Sequence, residues 1–266
     1  MAIINDMIQT AIDEGYSEEN AEAYVCQNLV LLALSRSSLS RTATIKGGVV
    51  MRSLSGSARR ATQDMDIDFI RYSLSDTAIA TFVERLNCIP DIIFEQMGIP
   101  EELKQQDYHG KRIYVRISDS SGDMIESKID LGVHKNLTIE QEEYCFDIAG
   151  YDEGASLLIN SKEQMFTEKL RSLLKFGSNS TRYKDIFDLC YLSTLVDSEK
   201  LMDCLETFIF SDPGMKENNM VDIRRRVAKT FSDSRYKSRL ERSRKNWLEK
   251  TTEDVLLEIT DFLKNF

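Results

Sequence analysis

Histidine, tryptophan and proline are scarce in this sequence. Its 266 residues include two histidines, one tryptophan and three prolines. With only His109 and His134 present, a metal centre or proton relay built from several imidazoles is not expected, and we expect each histidine to be an ordinary surface or hairpin residue. The chemistry of this chain must therefore depend on carboxylates.

The cysteines have no pattern that indicates a framework. They lie far apart, without the paired spacing of a zinc site or of a disulfide-stabilised domain. We expect buried free thiols at Cys26, Cys88, Cys145, Cys190 and Cys204.

A long hydrophobic run is also missing. The longest, residues 29–34, is far shorter than the roughly 20 residues of a membrane span. The first residues carry no basic-apolar-small leader. We therefore expect a cytoplasmic protein with no membrane partner.

Positive charge is scarce except in one segment. The net charge is −10, but residues 224–250 contain eleven Lys or Arg against three acids, which leaves the rest of the chain at −18. With Tyr236 and Trp247 interleaved, this basic segment could hold RNA by phosphate contacts and base stacking. A solvated helix face explains it equally well.

Acidic residues form the clearest pattern, between Asp64 and Phe69. Acid and apolar residues alternate strictly there, so a strand would turn Met65, Ile67 and Phe69 toward a core and place Asp64, Asp66 and Asp68 on the other face. Neighbouring carboxylates on one strand face lie about 6–7 Å apart and, at an effective dielectric near 20, repel by roughly 2–3 kcal/mol. Such a face favours a hard divalent cation, Mg²⁺ above all. A calcium loop of the EF-hand type would need Gly at position 69 and Glu at position 75, where this chain has Phe69 and Ser75, so that alternative is excluded. A strand face that is simply exposed to solvent remains an alternative.

A glycine pair upstream predicts a phosphate site. Ala43–Ile45 is typical of a short strand, Gly47 and Gly48 allow a tight turn with bare amides, and residues 49–54 favour a helix whose N-terminus would face an anion.

A second acidic strand is expected near the first. Residues 111–118 and 124–133 predict a hairpin in which Lys128, Asp130 and Gly132 share a face. A neighbouring strand could therefore place Asp130 beside Asp64 and Asp66. A salt bridge with Lys128, or simple exposure, is the alternative.

Helices are predicted elsewhere: a short one at residues 92–97, and a helical region from residue 151 onward. In that region Asp185 and Asp188 lie three positions apart and share a helix face. Exposed charges on amphipathic helices need no function, so a solvent-facing role for them stays open.

Together these residues resemble nucleotidyltransferase-fold toxins of the AbiEii/AbiGii type. Matching positions are Lys46, Gly47, Gly48, Arg52, Arg60, Thr62, Asp64 and Asp66. Val49 departs from the usual hydroxyl residue, and Asp68 is an additional carboxylate, so both Asp64/Asp66 and Asp66/Asp68 remain possible metal pairs. Lys169 and Asp185 match a second element of the family, with Asp188 beside them.

The resemblance implies an α+β fold with a mixed sheet at residues 1–150 and a helical lobe at residues 151–266 that closes the cleft. It implies Mg²⁺ or Mn²⁺ on Asp64, Asp66 and Asp130, and an NTP substrate held by Gly47, Gly48, Thr62 and Lys46 or Arg52. Lys169 would contact the triphosphate, and Asp185 would orient Lys169 or the acceptor.

The implied function is transfer of a nucleotide to RNA, with tRNA the expected acceptor, by a toxin whose antitoxin is encoded alongside. Transfer to an antibiotic-type small molecule, transfer to a protein, and nucleotide binding without catalysis remain alternatives.

Overall fold

A computed structural model describes residues 4–103, 110–134 and 138–266 of the chain. His109 lies outside these residues. The chain divides into two compact units, Met1–Asn160 and Ser161–Phe266.

The first unit is built on a mixed sheet. Within the described residues it has seven strands, in the order β3-β4-β5-β2-β1-β7-β6. Pairs β2–β5 and β1–β7 are parallel and the other four are antiparallel. This sheet confirms the predicted α+β class with a mixed sheet. The strands are β1 (Ala43–Lys46), β2 (Met65–Phe69), β3 (Ile92–Leu103), β4 (Gly110–Asp119), β5 (Met124–Val133), β6 (Glu142–Phe146) and β7 (Ala155–Ile159).

Helix α2 forms the centre of this unit's core. The described α-helices here are α1 (Ile4–Asp13), α2 (Glu18–Arg36), α3 (Gly47–Ser55) and α4 (Asp76–Leu86). The apolar run at residues 29–34 lies in α2 and is buried on all sides. Burying each of its leucines contributes on the order of 2 kcal/mol. The longest hydrophobic run therefore belongs to a core helix, and no described helix is long and apolar enough to cross a membrane.

Two helix predictions are wrong because side chains alternate where a helix was expected. Residues 92–97 belong to β3, in which Ile92 and Phe94 are buried while Ile93 and Glu95 are exposed. Residues after 151 likewise include β7, where buried and less buried residues alternate and β6 pairs alongside. The helical region begins at Ser161, so β7 belongs to the sheet.

The second unit is helical. Ser161 opens its first helix, with the Ser161 hydroxyl accepting a hydrogen bond from the Gln164 amide at 3.1 Å. Gly177 ends that helix with φ +52°. The described α-helices are α5 (Lys162–Phe176), α6 (Tyr183–Leu192), α7 (Ser198–Leu205), α8 (Met220–Phe231), α9 (Ser234–Arg242) and α10 (Thr252–Asn265).

The cysteine prediction is correct for three thiols and wrong for two. Cys26, Cys190 and Cys204 are buried, and all five thiols are free. Cys88 is exposed in the turn after α4, and Cys145 is exposed on the edge strand β6. Positions at a turn and at a sheet edge leave one side open to solvent.

Candidate active site

Strand β2 places its acids and its apolar side chains on opposite faces. Met65, Ile67 and Phe69 are almost completely buried, as predicted. Asp66 and Asp68 point to the other face, with Asp64 just before the strand. We call this the acidic face.

The neighbouring strands complete the acidic face around Asp66. In the sheet register Asp66 lies opposite Lys46 of β1 on one side and Asp130 of β5 on the other. Residues that pair across strands point to the same face. The two carboxylates of Asp66 and Asp130 are therefore direct neighbours, with a lysine on the far side of Asp66.

The glycine turn contacts the acidic strand directly. Gly47 has φ +69° and begins α3, and a Cβ atom there would collide with Oδ2 of Asp66. A Cβ atom at Gly48 would lie 2.6 Å from the Thr62 hydroxyl. Only glycine fits at either position, so the first amides of α3 are brought to the edge of the carboxylate cluster.

Basic side chains hold the three flanking acids. Lys46 Nζ lies 2.8 Å from Asp68 Oδ2, and Lys128 Nζ lies 2.7 Å from Asp64 Oδ1. Asp130 accepts two hydrogen bonds from Arg112, at 2.7 and 2.9 Å, which is the strong bidentate geometry of an arginine–carboxylate pair. Asp130 therefore forms a salt bridge, but with Arg112, while Lys128 binds Asp64.

Asp66 differs from these three acids. Among the described residues its carboxylate has no hydrogen bond or ion pair. Burial raises the pKa of Asp66 to about 6; Lys46 opposes this shift, and the charges of Asp130, Asp64 and Asp68 add to it. The ionised form of Asp66 is therefore destabilised at the centre of the face.

Buried oxygens without partners extend the face beyond Asp66. Within the described residues, Oδ1 of Asp68 and the hydroxyl of Thr44 are buried and have no hydrogen-bond partner. Asp68 and Thr44 pair across β2 and β1, so the two oxygens share the acidic face. Buried polar atoms are normally satisfied, so this row indicates a ligand.

The donor set fits a hard divalent cation. In the part of the chain that the structure describes, no three His, Cys, Asp or Glu side chains converge as a metal-binding group. The other three carboxylates of the face are engaged in ion pairs, with Arg112, Lys128 and Lys46. The chemistry nevertheless suits Mg²⁺ or Mn²⁺: oxygen ligands only, an unpaired Asp66 and an unpartnered Asp68 oxygen.

The motif arginines lie inside the first unit. Arg52 is 5% exposed, and its guanidinium lies 4.4 Å from the ring centre of Tyr24. Burial lowers the pKa of Arg52, and the nearby Tyr16 and Tyr24 partly offset this lowering. Arg60 is likewise buried. The Thr62 hydroxyl accepts a long hydrogen bond from the Asp64 amide at 3.4 Å, which holds the loop that leads into β2.

The second unit contains a separate charged cluster. Lys169 Nζ lies 3.1 Å from Asp185 Oδ1 and 2.8 Å from Asp188 Oδ2. Asp188 is fully buried and also accepts a hydrogen bond from Trp247 Nε1 at 2.9 Å. The predicted face shared by Asp185 and Asp188 is correct, and it surrounds one lysine.

The basic segment has a mixed role. The expectation that Tyr236 and Trp247 offer stacking surfaces is wrong, because both are buried. Arg224, Arg226 and Arg239 donate to backbone carbonyls and so stabilise helix packing. The cations exposed to solvent are Arg225, Lys229, Arg235, Lys237, Arg242, Arg244, Lys245 and Lys250.

His134 is the polar residue that the sequence did not reveal. It was expected at the surface or in a hairpin, but it is 7% exposed and lines a cavity beside the acidic face. The available signal was its position four residues after Asp130, which places both on one strand face.

A family model for "Nucleotidyl transferase AbiEii toxin, Type IV TA system" matches residues 29–257. The matched range contains the glycine turn, β2, Asp130 and the Lys169 cluster. No curated protein matches the chain. Because the match covers most of the sequence, the chain belongs to the AbiEii family of nucleotidyltransferase toxins from type IV toxin–antitoxin systems.

Proposed function

We propose that this protein transfers a nucleoside monophosphate from an NTP to an RNA hydroxyl, with Mg²⁺ or Mn²⁺, and that tRNA is the acceptor. The contact between Gly47 and Asp66 carries the proposal. It joins an amide site suited to phosphate with a carboxylate suited to a metal, and nucleotidyl transfer needs both.

The triphosphate would bind at the start of α3. The turn at Gly47 and Gly48 exposes backbone N–H groups with no side chain in the way, and the helix N-terminus adds a positive potential. Lys46, which pairs with Asp68, supplies a positive charge beside this turn. The resemblance assigns a further triphosphate contact to Lys169, oriented by Asp185.

Asp66, with Asp64 or Asp68 and with Asp130, would hold the metal. A divalent ion there supplies charge neutralisation of the phosphates and lowers the pKa of the acceptor hydroxyl. The roles of the protein are to fix these carboxylates on a rigid strand and to orient the phosphates for in-line reaction.

Transfer exchanges one bond at the α-phosphorus of the NTP for another. The acceptor oxygen forms a bond to the α-phosphorus, the bond from that phosphorus to the bridging oxygen breaks, and pyrophosphate leaves while the hydroxyl proton goes to solvent. The α3 amides and Lys46 would stabilise the charge that develops on pyrophosphate.

An RNA acceptor is supported by the exposed cations of α8, α9 and the following turn. These face solvent in a chain of net charge −10, so they form a local exception. The family also implies a cognate antitoxin. We place the activity in the cytoplasm, where NTPs and tRNA occur.

Transfer assays with each labelled NTP test the proposal. The pure protein is incubated with Mg²⁺ or Mn²⁺ and either total RNA, total protein or a panel of hydroxylated antibiotics. Label on RNA, lost in Asp66→Ala with the fold retained, is the expected result. Label on protein or on a small molecule would mean that this molecule, and not RNA, is the acceptor. Binding of NTP without release of pyrophosphate would refute catalysis.

A further inference from the structure

His134 occupies an unusual position at the end of β5. Asp130, Gly132 and His134 lie at alternate positions, so His134 shares the acidic face with Asp130. Its backbone N–H donates to the carbonyl of Phe69 at 2.9 Å, which continues the β2–β5 pairing by one step. The backbone of His134 is thus fixed by the sheet.

The polar atoms of the His134 ring are buried. Among the described residues neither Nδ1 nor Nε2 has a hydrogen bond, although only 7% of His134 is exposed to solvent. A neutral imidazole carries one donor and one acceptor. Burying such groups unsatisfied costs stability, so a packing role would be better served by an apolar ring.

The imidazole faces a cavity of about 410 Å³. Its walls combine apolar side chains with polar ones, and Arg71 is exposed at its edge with a left-handed φ of +52°. A non-glycine residue in that conformation is strained and is common at binding sites. The lining residues are Ile70, Arg71, His134, Ile139, Glu140, Gln141 and Leu158.

The cavity continues the row of unpartnered oxygens. Asp68 pairs with Thr44 and Gly132, and Thr44 pairs with Leu158, which lines the cavity. His134 lies two positions, about 7 Å, beyond Gly132 and four positions, about 13 Å, beyond Asp130. A sugar and its phosphates cover this distance when the phosphates lie near Asp66.

We propose that this cavity binds the heterocyclic base of a nucleotide, with His134 donating to and accepting from the edge of the base. The apolar walls at Ile70, Ile139 and Leu158 suit the flat faces of a ring, and the imidazole suits its polar edge. This inference rests on the proposed function for the position of the phosphates. The base comes from the NTP or from the acceptor RNA, and the experiment separates these two sources.

Binding of three probes to the full-length protein tests the inference: each NTP, inorganic tripolyphosphate, which has no base, and a short single-stranded RNA. The variants are His134→Phe, which keeps the shape but removes the nitrogens, and His134→Asn, which restores one polar edge. Tyr151→Phe is the matched control. Its hydroxyl is also buried and has no hydrogen-bond partner among the described residues, but Tyr151 does not line the cavity.

If the cavity binds the base of the NTP, His134→Phe lowers affinity for the preferred NTP by about tenfold and leaves tripolyphosphate affinity unchanged. If it binds the acceptor base, RNA affinity falls by a similar factor instead. In either case His134→Asn recovers part of the loss, and Tyr151→Phe changes neither affinity.

Unchanged affinity for both NTP and RNA in His134→Phe would overturn the inference. Leu158→Trp, which fills the cavity from β7, gives a second test if the first variant does not fold, and it should reproduce the loss. Because binding is measured without turnover, a wild-type protein that binds these probes but transfers no nucleotide would refute the proposed function and leave this inference standing.

Discussion

Gly47 lies so close to Asp66 that any side chain at position 47 would overlap the carboxylate. The two residues are nineteen positions apart in the sequence, on different elements, yet the backbone of one forms the wall beside the side chain of the other. The requirement for glycine is therefore a property of the acidic face as well as of the turn.

Gly47→Ala should abolish most of the nucleotidyl transfer. The added methyl group displaces Asp66, and a misplacement of about 1 Å at a reacting centre costs on the order of 100-fold in rate. The left-handed backbone adds about 1 kcal/mol of instability. Transfer rates and urea unfolding measure the two effects separately.

Gly56→Ala is the matched control. Gly56 ends the same helix with φ +61°, but a Cβ atom there would meet nothing within 4 Å. We expect the same loss of stability and full activity. Equal loss of activity in both variants would mean that backbone strain, and not contact with Asp66, explains the effect.

Asp66→Asn should stabilise the metal-free protein at neutral and alkaline pH. Because burial raises the pKa of Asp66 to about 6, the folded protein holds this proton more tightly than the unfolded chain, and ionisation opposes folding. The free energy of unfolding of Asp66→Asn at pH 8 should exceed that of wild type by about 3 kcal/mol, a gain that shrinks as pH falls through 6 and is absent below about 4.

Urea unfolding in EDTA across pH 4–8 measures that difference. Asp64→Asn is the control, since Asp64 is largely exposed and paired with Lys128, and it should change stability by less than about 0.5 kcal/mol. With Mg²⁺ added, wild type should gain stability and Asp66→Asn should not. A pH-independent difference would contradict the destabilised charge assigned to Asp66.

Arg112→Gln tests whether Asp130 is available to a metal. Arg112 binds both oxygens of Asp130, so its removal frees a carboxylate and deletes a nearby positive charge. If Asp130 is a ligand, affinity for Mn²⁺ should rise by about threefold or more. Calorimetric titration measures it.

Arg116→Gln removes the corresponding pair with Glu126, four residues further along the same two strands and more exposed to solvent. It should leave Mn²⁺ affinity unchanged. If Arg112→Gln lowers stability but does not change metal affinity, Asp130 stabilises the sheet and does not bind the metal.

The sequence contained enough information for the acidic face but not for its ion pairs. Alternation in β2 is a local property of six residues, and the hairpin that carries Asp130 has its own turn signal, so both were predicted. The partner of Asp130 depends on which residues of β4 and β5 lie side by side, and the partner of Asp64 depends on how β2 lies beside β5. That register is set by pairing across strands and cannot be deduced from one strand.

The elements that were missed have weak or misleading local patterns. Ile92, Ile93 and Phe94 form a continuous apolar run, which suits a helix as well as a strand until β4 pairs with it. The spacing of His134 from Asp130 indicates a shared strand face, but it gave no signal for burial or for a cavity. Its burial follows from the course of β5 beside β2 and from the cavity that residues 139–141 and Leu158 complete.

The basic segment should affect RNA binding through phosphate contacts alone. Because Tyr236 and Trp247 are buried, replacing Arg235 and Lys237 together with Gln should weaken RNA binding without altering base preference. The slope of log affinity against log salt should fall by about 1.4 for single-stranded RNA. Lys264→Gln, on α10 and paired with Asp261, is the control and should leave that slope unchanged. An unchanged slope in the double variant would place the RNA elsewhere.

The last prediction separates catalysis from stability at Lys169. Asp188 is fully buried and pairs with Lys169 at 2.8 Å, so Lys169→Met removes a cation from a buried carboxylate and should cost about 3–5 kcal/mol. Loss of transfer in that variant alone is therefore uninformative.

The double variant Lys169→Met with Asp188→Asn removes the charge as well and keeps an acceptor for Trp247, so most of the stability should return. If Lys169 contacts the triphosphate, the double variant folds, as urea unfolding would show, and still transfers nucleotide at least about 100-fold more slowly than wild type. Recovery of both stability and transfer would mean that Lys169 stabilises the second unit and does not contact the triphosphate.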